Sequence, residues 1–281
     1  MNGYYYSSYG SDQDQYPHML QVLEACKPLN VGVELAIYTR KSARPQHIPN
    51  LLKVQDQFTD YPILFHGPFF ELEATSEPDS DAARYMIESY EVSFDLCNRF
   101  HAKSIVMHTN QRSFEDSEQA HLQENSRNMI LKLGELARQA NVLMTVENVG
   151  FFYSHSVLFP EDDYIELIRS LPDDIGALID IGHAILNDWD IERVVAALSS
   201  RIKSYHIHNN PGDRDSHRPL FESGMKYSRD QIVELFKAME KYTPDTEWIL
   251  EYSPGPHITP ELMLHDFREV DGILADIHGR K

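Results

Sequence analysis

Residues 142–148 read VLMTVEN, a short apolar segment that ends in one acidic side chain, Glu147. Five further segments repeat this pattern, and each also ends in a histidine or a carboxylate. Successive polar residues are 28 to 43 positions apart, about the length of a strand and its crossover helix. The segments are ILFHG (63–67), SIVMHT (104–109), VLMTVEN (142–148), ALIDIGH (177–183), SYHIHNN (204–210) and WILEY (248–252), with terminal residues His66, His108, Glu147, Asp180, His208 and Glu251.

Two β-prone segments precede these six, so the sequence predicts eight strands. They are GYYYSS (3–8) and VGVELAI (31–37), the second of which carries Glu34. Between the strands, apolar residues recur at helical spacing, beginning with a helix capped at Ser11 or Asp12. The other predicted helices span 48–58, 80–100, 115–140, 160–171, 190–199, 229–241 and 259–278. Eight strand–helix units in 281 residues favour a closed (β/α)8 TIM barrel, a single domain over 1–281, rather than an open doubly wound sheet.

Alternation of side chains along the strands places the polar residues inside this barrel. It points Glu147, Asp180 and Glu251 inward at the carboxyl ends of their strands, where TIM-barrel enzymes build their sites. The full prediction is that Leu143, Thr145, Glu147, Leu178, Asp180, Ile249 and Glu251 face the axis, and that Val142, Met144, Val146, Ala177, Ile179, Ile181, Trp248 and Leu250 face the helices.

Inward carboxylates held this closely repel one another, and a bound divalent cation relieves the repulsion. Nitrogen and oxygen donors suit Mn²⁺, Zn²⁺, Co²⁺ or Mg²⁺, and the lack of a nearby cysteine argues against a thiolate zinc site. Without a cation the unpaired carboxylates would destabilise the barrel, which disfavours a catalytically inert protein. We predict a metal site made by Glu147, Asp180, His208 and Glu251. Additional candidate ligands are His66, His108, His183, Asp215 and His217.

Two polar residues near this set receive other interpretations. His206 shares the alternation of His208 but lies deeper in the strand, which favours a structural hydrogen bond. Glu34 fits either a residue behind the ligands or a salt bridge at the rim.

The composition describes an acidic chain with little cysteine. It has 25 basic and 44 acidic residues, a formal charge of −19, which disfavours broad nucleic-acid binding without excluding a local basic groove. The two cysteines, Cys26 and Cys97, show no pairing pattern and are expected to be buried free thiols. The first residues lack the pattern of a secretory signal, and no segment reaches the roughly 20 apolar residues that span a bilayer. We therefore expect a cytoplasmic protein.

Seven motifs spread over nearly the whole chain resemble the xylose isomerase-like barrel superfamily. This superfamily joins sugar isomerases and epimerases to the apurinic endonucleases of family 2. The resemblance implies a TIM barrel and metal-dependent chemistry, but it does not select the reaction. The motifs are HGPF (66–69), VMH (106–108), VEN (146–148), DIGH (180–183), HIHN (206–209), DSH (215–217) and LEY (250–252).

The isomerase and epimerase branch implies one ion, held by Glu147, Asp180, His208 and Glu251. By this resemblance Glu147 and Glu251 would also move protons next to a substrate carbonyl, and His183 would contact substrate oxygens. The loop after 204–210 carries Arg214, Arg218 and Lys226, which either anchor a polar or phosphorylated substrate or belong to a solvated loop.

The endonuclease branch implies up to three zinc ions that activate water and neutralise a phosphate. It adds His66, His108, His183, Asp215 and His217 to the same four ligands, and the chain has a match at each position. Against it stand the acidic or neutral rim loops at 71–81, 114–119 and 159–164, because duplex binders depend on Lys and Arg contacts.

These loops favour a metal-dependent sugar, sugar phosphate or polyol isomerase or epimerase, with the zinc-cluster phosphodiesterase as the alternative. The expected partner is a small sugar-like molecule rather than nucleic acid. A homo-oligomer remains open, because barrels of this kind often pair. The rim aromatics Phe69, Phe70 and 151–153 either wall a substrate pocket or pack locally.

Overall fold

The fold is described by a computed structural model over residues 3–7, 15–38, 40–150 and 155–279. Eight strands pair in sequence order, all parallel, and the first pairs with the last to close a barrel. The predicted (β/α)8 barrel is therefore confirmed, and the open sheet is excluded. The strands are β1 (Gly3–Ser7), β2 (Gly32–Ala36), β3 (Ile63–His66), β4 (Ser104–His108), β5 (Leu143–Glu147), β6 (Ile175–Asp180), β7 (Ile202–Ile207) and β8 (Glu247–Leu250).

Helices surround the barrel and pack their apolar faces against it. Ser80, Ser228 and Thr259 cap three of them by accepting backbone N–H groups of the first turn. The helices of the described residues are α1 (Tyr16–Cys26), α2 (Arg44–Lys53), α3 (Asp81–Phe100), α4 (Gln119–Gln139), α5 (Glu161–Ser170), α6 (Ile181–Leu186), α7 (Ile191–Leu198), α8 (Arg229–Tyr242) and α9 (Pro260–Ile277).

Buried apolar residues form two separate clusters, one outside the strands and one inside the barrel. The outer cluster contains the residues predicted to face the helices, such as Met144, Ile179 and Trp248. The inner cluster consists of Tyr5, Leu64, Val106, Leu178 and Ile249. Leu178 and Ile249 are thus confirmed as inward residues, and they lie two positions before Asp180 and Glu251. The inner cluster fills the barrel below the polar layer.

The predicted bounds of one strand and one helix need correction. The segment 177–183 is not strand throughout, because β6 ends at Asp180 and Ile181 begins the short helix α6. Asp180 caps α6 by accepting the backbone N–H of His183 at 2.6 Å, which stops the strand there. Ile181 still joins the outer core, but from a helix. The predicted helix 48–58 begins earlier, at Arg44, because Pro45 fits the first turn.

Three smaller expectations concern the cysteines, the cap of the first helix and membrane-spanning segments. Cys26 and Cys97 are buried and free, as predicted. The proposed cap of the first helix at Ser11 or Asp12 lies outside the described residues. Among the helices that the structure describes, none combines the length and apolarity needed to cross a membrane.

The inner cluster makes a testable contribution to stability. Ile249 is 0% exposed, so Ile249→Ala should leave a cavity inside the barrel and lower the free energy of unfolding by about 2–5 kcal/mol. Ile249→Val is the matched control and should cost about 0.5–1.5 kcal/mol. Urea unfolding with a chelator present measures both without a contribution from bound ions. Equal losses for the two variants would contradict a tightly packed inner cluster.

Candidate metal centre

The carboxyl ends of the strands bring the predicted polar residues together at one mouth of the barrel. His66, His108, Glu147 and Asp180 are the last residues of β3, β4, β5 and β6, and Glu251 follows β8 directly. Their side chains are buried or nearly so. With His183, His206, His208, Asp215, His217 and Glu34, they place imidazole nitrogens and carboxylate oxygens in five overlapping groups of potential metal ligands, which we describe as three neighbouring regions of the site.

The first group is made by His66, His108 and Glu147. The Nε2 atoms of His66 and His108 lie 3.1 Å apart. Oε2 of Glu147 lies 3.2 Å from Nε2 of His108 and 3.8 Å from Nε2 of His66. These three atoms form a compact triangle that opens towards the barrel mouth.

The central group surrounds Nδ1 of His206, which three carboxylates approach from three strands. Nδ1 lies 3.1 Å from Oε2 of Glu251, 3.4 Å from Oε1 of Glu147 and 3.7 Å from Oδ2 of Asp180. Glu147 therefore presents one oxygen to the first group and the other to the central group. Behind the ring, Nε2 of His206 donates to Glu34, 3.1 Å from each carboxylate oxygen.

The third group is made by His183, Asp215 and His217. Oδ2 of Asp215 lies 3.1 Å from Nε2 of His183 and 3.1 Å from Nε2 of His217. His217 adopts a left-handed backbone conformation with φ of +43°, which is unfavourable for a residue with a side chain. Such strain persists where surrounding contacts fix it, and it is common at functional sites.

The second ring nitrogen of four histidines is held by an acceptor outside the groups. Nδ1 of His66 donates to the carbonyl of Gly67 at 2.9 Å. Nδ1 of His183 donates to the carbonyl of Asn148, also at 2.9 Å. Nδ1 of His217 donates to the carbonyl of Glu251 at 3.2 Å, and His206 uses Glu34 as described above. In each ring the other nitrogen faces its group. This is the usual arrangement of histidines that bind a metal.

His208, which the sequence predicts as a ligand, lies within ligand distance of Asp180 and Glu251, two of its predicted co-ligands. Its Nε2 lies 3.0 and 3.1 Å from the two oxygens of Asp180, to which it can donate. Its ring stacks on that of His217 and packs so closely over Gly182 that a Cβ there would lie 1.9 Å from the ring. His208 therefore joins the donors of the third group and those of Asp180 and Glu251, whereas Nδ1 of His206 faces three carboxylates.

Burial and mutual charge shift the pKa values of the site. Burial alone would raise the pKa of the Glu147 carboxyl, but the imidazoles of His108 and His206 outweigh it and hold that pKa well below the usual range. Burial raises the pKa of Glu251 to about 7, and burial lowers that of His66 to about 4. Burial opposes the charging of His183 and His206 too, but the surrounding carboxylates raise both pKa values well above 6.5.

The donor groups fit divalent metal ions. Two ligands that bind one ion at about 2.1 Å in tetrahedral geometry lie about 3.4 Å apart, and the measured separations scatter around that value. Oε2 of Glu147 and Nδ1 of His206 are buried without a hydrogen bond of good geometry. Buried polar atoms without partners are rare unless an ion or a ligand satisfies them. Nitrogen and carboxylate donors suit Zn²⁺ or Mn²⁺.

The basic residues of the seventh loop are mostly engaged in ion pairs. Arg218 pairs with Glu222 at 2.6 Å, and Nζ of Lys226 donates to the carbonyl of Ile185 at 2.7 Å and to Asp188. For Arg214, which the sequence analysis grouped with them, no carboxylate partner is found within the described residues. Substrate contacts of His183, Arg214 and Arg218 stay predictions.

A second basic cluster follows β2 and was not predicted from the sequence; its first residue, Arg40, is linked to the first group through two aromatic rings. Arg40, Lys41 and Arg44 follow β2, and within the described ranges none of the three forms an ion pair with a carboxylate. Arg40 lies 5.8 Å from the ring centre of Phe70, which is 46% exposed. Phe70 packs on Phe69, whose ring lies against those of His66 and His108. The other aromatic candidates, 151–153, fall outside the described residues.

Asn148 and Gln111, for which the sequence predicted no role, support the groups, and Glu34 takes the first of its two predicted positions, behind the ligands. Asn148 donates to the carbonyl of Asp180 at 3.0 Å and accepts its N–H at 2.7 Å, which fixes the end of β6. The amide of Gln111 contacts Nδ1 of His108. Glu34 lies beside His206 inside the barrel rather than at the rim. The alternation of side chains along β7 placed His206 inward and was the signal for its role.

A model of the family described as xylose isomerase-like TIM barrel matches residues 32–265. Among solved structures, a D-tagatose 3-epimerase-like protein has a TM-score of 0.76 at 16% identity, covering 99% of both chains. IolI with a bound zinc atom has a TM-score of 0.71 at 15% identity, covering 98% of this chain and 97% of its own. Endonuclease IV from Thermus thermophilus has a TM-score of 0.63 at 16% identity, covering 98% of this chain and 99% of its own. No curated protein matches the sequence.

The pKa shifts predict how metal affinity depends on pH. With pKa values well above 6.5, His183 and His206 carry protons at pH 7 in the metal-free protein, and Glu251 is about half protonated. An ion must displace these protons, so affinity for Zn²⁺ should rise between pH 6 and pH 8, by roughly tenfold per unit for each proton displaced. Competition with a chelator at several pH values measures this, and His121→Ala at an exposed histidine is the control. A Zn²⁺ affinity that does not change with pH would contradict the raised pKa values of His183, His206 and Glu251.

Proposed function

The chain belongs to the xylose isomerase-like TIM-barrel family, and from that premise we propose that it is a metal-dependent hydrolase of phosphodiesters. Three ions would be held by nine side chains. The observation that carries the proposal is the arrangement of these donors in three neighbouring groups, of which the first two share Glu147, while His208 lies within ligand distance of members of the second and third. The groups are His66, His108 and Glu147; Glu147, Asp180, His206 and Glu251; and His183, Asp215 and His217.

A protein that used a single ion would have no need for the first and third groups. Each consists of buried or nearly buried donors, and in His66, His183 and His217 the second nitrogen is held so that the first faces the group. Three ions would activate a water molecule and neutralise a phosphate group in line. The role of the chain is to hold the donors apart at ligand spacing and to exclude bulk water from the barrel below them.

The cations at the second rim loop support an anionic substrate. Arg40 lies 5.8 Å from the ring centre of Phe70, which packs on Phe69 beside the first group, while Lys41 and Arg44 lie over the ring of Tyr85. In the part of the chain that the structure describes, none of the three forms an ion pair with a carboxylate, so Arg40 would be the cation that meets an anionic substrate at this side of the barrel mouth. This counts against the argument from the acidic loops, which had favoured a small sugar, sugar phosphate or polyol over a nucleic acid.

A single-ion sugar isomerase or epimerase is the second candidate. Glu147 and Glu251 approach the same nitrogen of His206 from different strands, as two proton-transfer groups on either side of a substrate carbon would. Burial brings the pKa of Glu251 to about 7, a value suited to a general base or acid near neutral pH. This candidate uses the central group and leaves the other two without a purpose.

Metal content separates the two candidates. Under the hydrolase proposal, the purified protein loaded with Zn²⁺ should hold three ions per chain by elemental analysis. His66→Ala should lower the count to two and reduce cleavage of bis(4-nitrophenyl) phosphate to background. His121→Ala, at an exposed histidine that pairs with Glu77, should leave both unchanged. One ion per chain that His66→Ala retains, together with epimerisation of a ketose, would reject the hydrolase in favour of the epimerase.

Matched substitutions in β7 and just after it identify the central ligand. His206→Gln has no atom at the position of Nδ1, so it should weaken the central ion by more than the roughly 100-fold that loss of a supporting partner costs. His208→Gln keeps an N–H donor near Asp180 and should retain all the ions. Chelator titration measures both variants. If His208→Gln weakens the central ion and His206→Gln does not, His208 is the central ligand, as the sequence predicted.

A further inference from the structure

Below the central group, Ser7 and Glu34 extend its hydrogen bonds into the barrel. Both carboxylate oxygens of Glu34 lie 3.1 Å from Nε2 of His206. The hydroxyl of Ser7 lies 2.9 Å from Oε2 of Glu34 and 3.3 Å from Oε1 of Glu251. The chain of contacts therefore runs from His206 to Glu34, on to Ser7, and back to Glu251.

We propose that Glu34 and Ser7 are positioning residues that set the affinity of the central group for its ion. Glu34 would hold the His206 ring so that Nδ1 faces Glu147, Asp180 and Glu251. Ser7 would donate its one hydroxyl hydrogen to Glu34, the nearer carboxylate, and so hold Glu34 in place beside Glu251. The proposal rests on the metal site of the proposed function, but it applies whether that site takes one ion or three.

Burial makes these contacts consequential. His206 is 0% exposed, and Glu34 and Ser7 are each 1% exposed, so water cannot replace a partner that is lost. A carboxylate behind a histidine fixes which nitrogen carries the hydrogen and increases the basicity of the other nitrogen. Glu34 contacts Nε2 of His206, whereas Glu147, Asp180 and Glu251 approach Nδ1 on the other side of the ring. Its role is therefore to orient His206.

The register of the first two strands explains why these residues can act together. Ser7 pairs with Glu34 in the parallel ladder between β1 and β2, and both point inward. Ser7 also follows Tyr5 by two positions, so it lies directly above the apolar inner cluster. The pair is thus supported by the strands and by the packed core below, not by a loop.

The test uses Glu34→Gln in the full chain, stripped of metal and titrated with Zn²⁺ alone against a chromophoric chelator. The variant keeps the shape of the side chain but removes its charge. We expect the affinity of the central ion to fall by about 10- to 100-fold while ions at the other groups are retained. Co²⁺ substitution adds a spectroscopic readout, since a change in coordination alters its visible absorption. Glu34→Asp keeps the charge and should recover part of the affinity.

Glu240→Gln is the matched control, because Glu240 is also buried and pairs with a histidine, His278, outside the site. It should bind Zn²⁺ as wild type does. Unchanged Zn²⁺ affinity and an unchanged Co²⁺ spectrum in folded Glu34→Gln would overturn the proposal. If Glu34→Gln does not fold, Ser7→Ala decides. Loss of one hydroxyl hydrogen bond should weaken the central ion about fivefold, and no loss relative to Glu240→Gln would overturn the proposal.

A wild-type chain that binds only one ion would reject the three-ion hydrolase and leave this inference standing, because the Glu34→Gln comparison can be made on that ion. If the chain binds three ions and neither Glu34→Gln nor Ser7→Ala changes their affinities, the positioning role of Glu34 and Ser7 is rejected and the three-ion hydrolase stands. The two proposals can therefore fail separately.

Discussion

Electrostatic repulsion among buried carboxylates is the constraint on which the site depends. Glu147, Asp180 and Glu251 all approach Nδ1 of one histidine, and each is at most 3% exposed. Charges this close in a low-dielectric interior must be protonated, paired or bound to a cation. In the metal-free chain the imidazoles of His183 and His206 supply the compensation by taking up protons, as their raised pKa values indicate. Metal ions would replace those protons, so the same carboxylates that destabilise the empty barrel mouth provide its affinity for cations.

The barrel meets this constraint by dividing its interior into layers. Strand alternation places an apolar cluster that includes Leu178 and Ile249 at one level, and the residues two positions later form the polar layer. The apolar layer excludes water from below and so strengthens every charge interaction above it. Just past the strand ends, the backbone carbonyls of Gly67 and Asn148 accept hydrogen bonds from Nδ1 of His66 and His183. The orientation of the ligands is therefore a consequence of where the strands end.

Much of this architecture could be predicted from the sequence because two periodicities carry it. The repeat of short apolar segments defined the eight strands, and alternation within them identified Leu178, Asp180 and Ile249 as inward. Helix boundaries were less predictable where a polar side chain intervenes, since Asp180 both ends a strand and caps a helix. Alternation alone could not separate His206 from His208, because both point inward and only the distances to neighbouring strands distinguish them. The basic cluster at 40–44 was missed because its importance depends on contact with Phe70, which is distant in sequence.

The sharing of Glu147 would allow this scaffold to hold one ion or more than one. Its two oxygens face different groups, so an ion in the central group and an ion in the first group would draw on the same carboxylate. A barrel with the central group alone has a complete site for one ion, and histidines at the ends of β3 and β4 extend that site without moving it. The similarity of the fold to both an epimerase-like protein and an endonuclease therefore cannot select the reaction. The additional donors bear on the choice between the two proposals, because a buried imidazole is costly unless a partner satisfies it, and the carboxylates that do so here are groups that a cation would also satisfy.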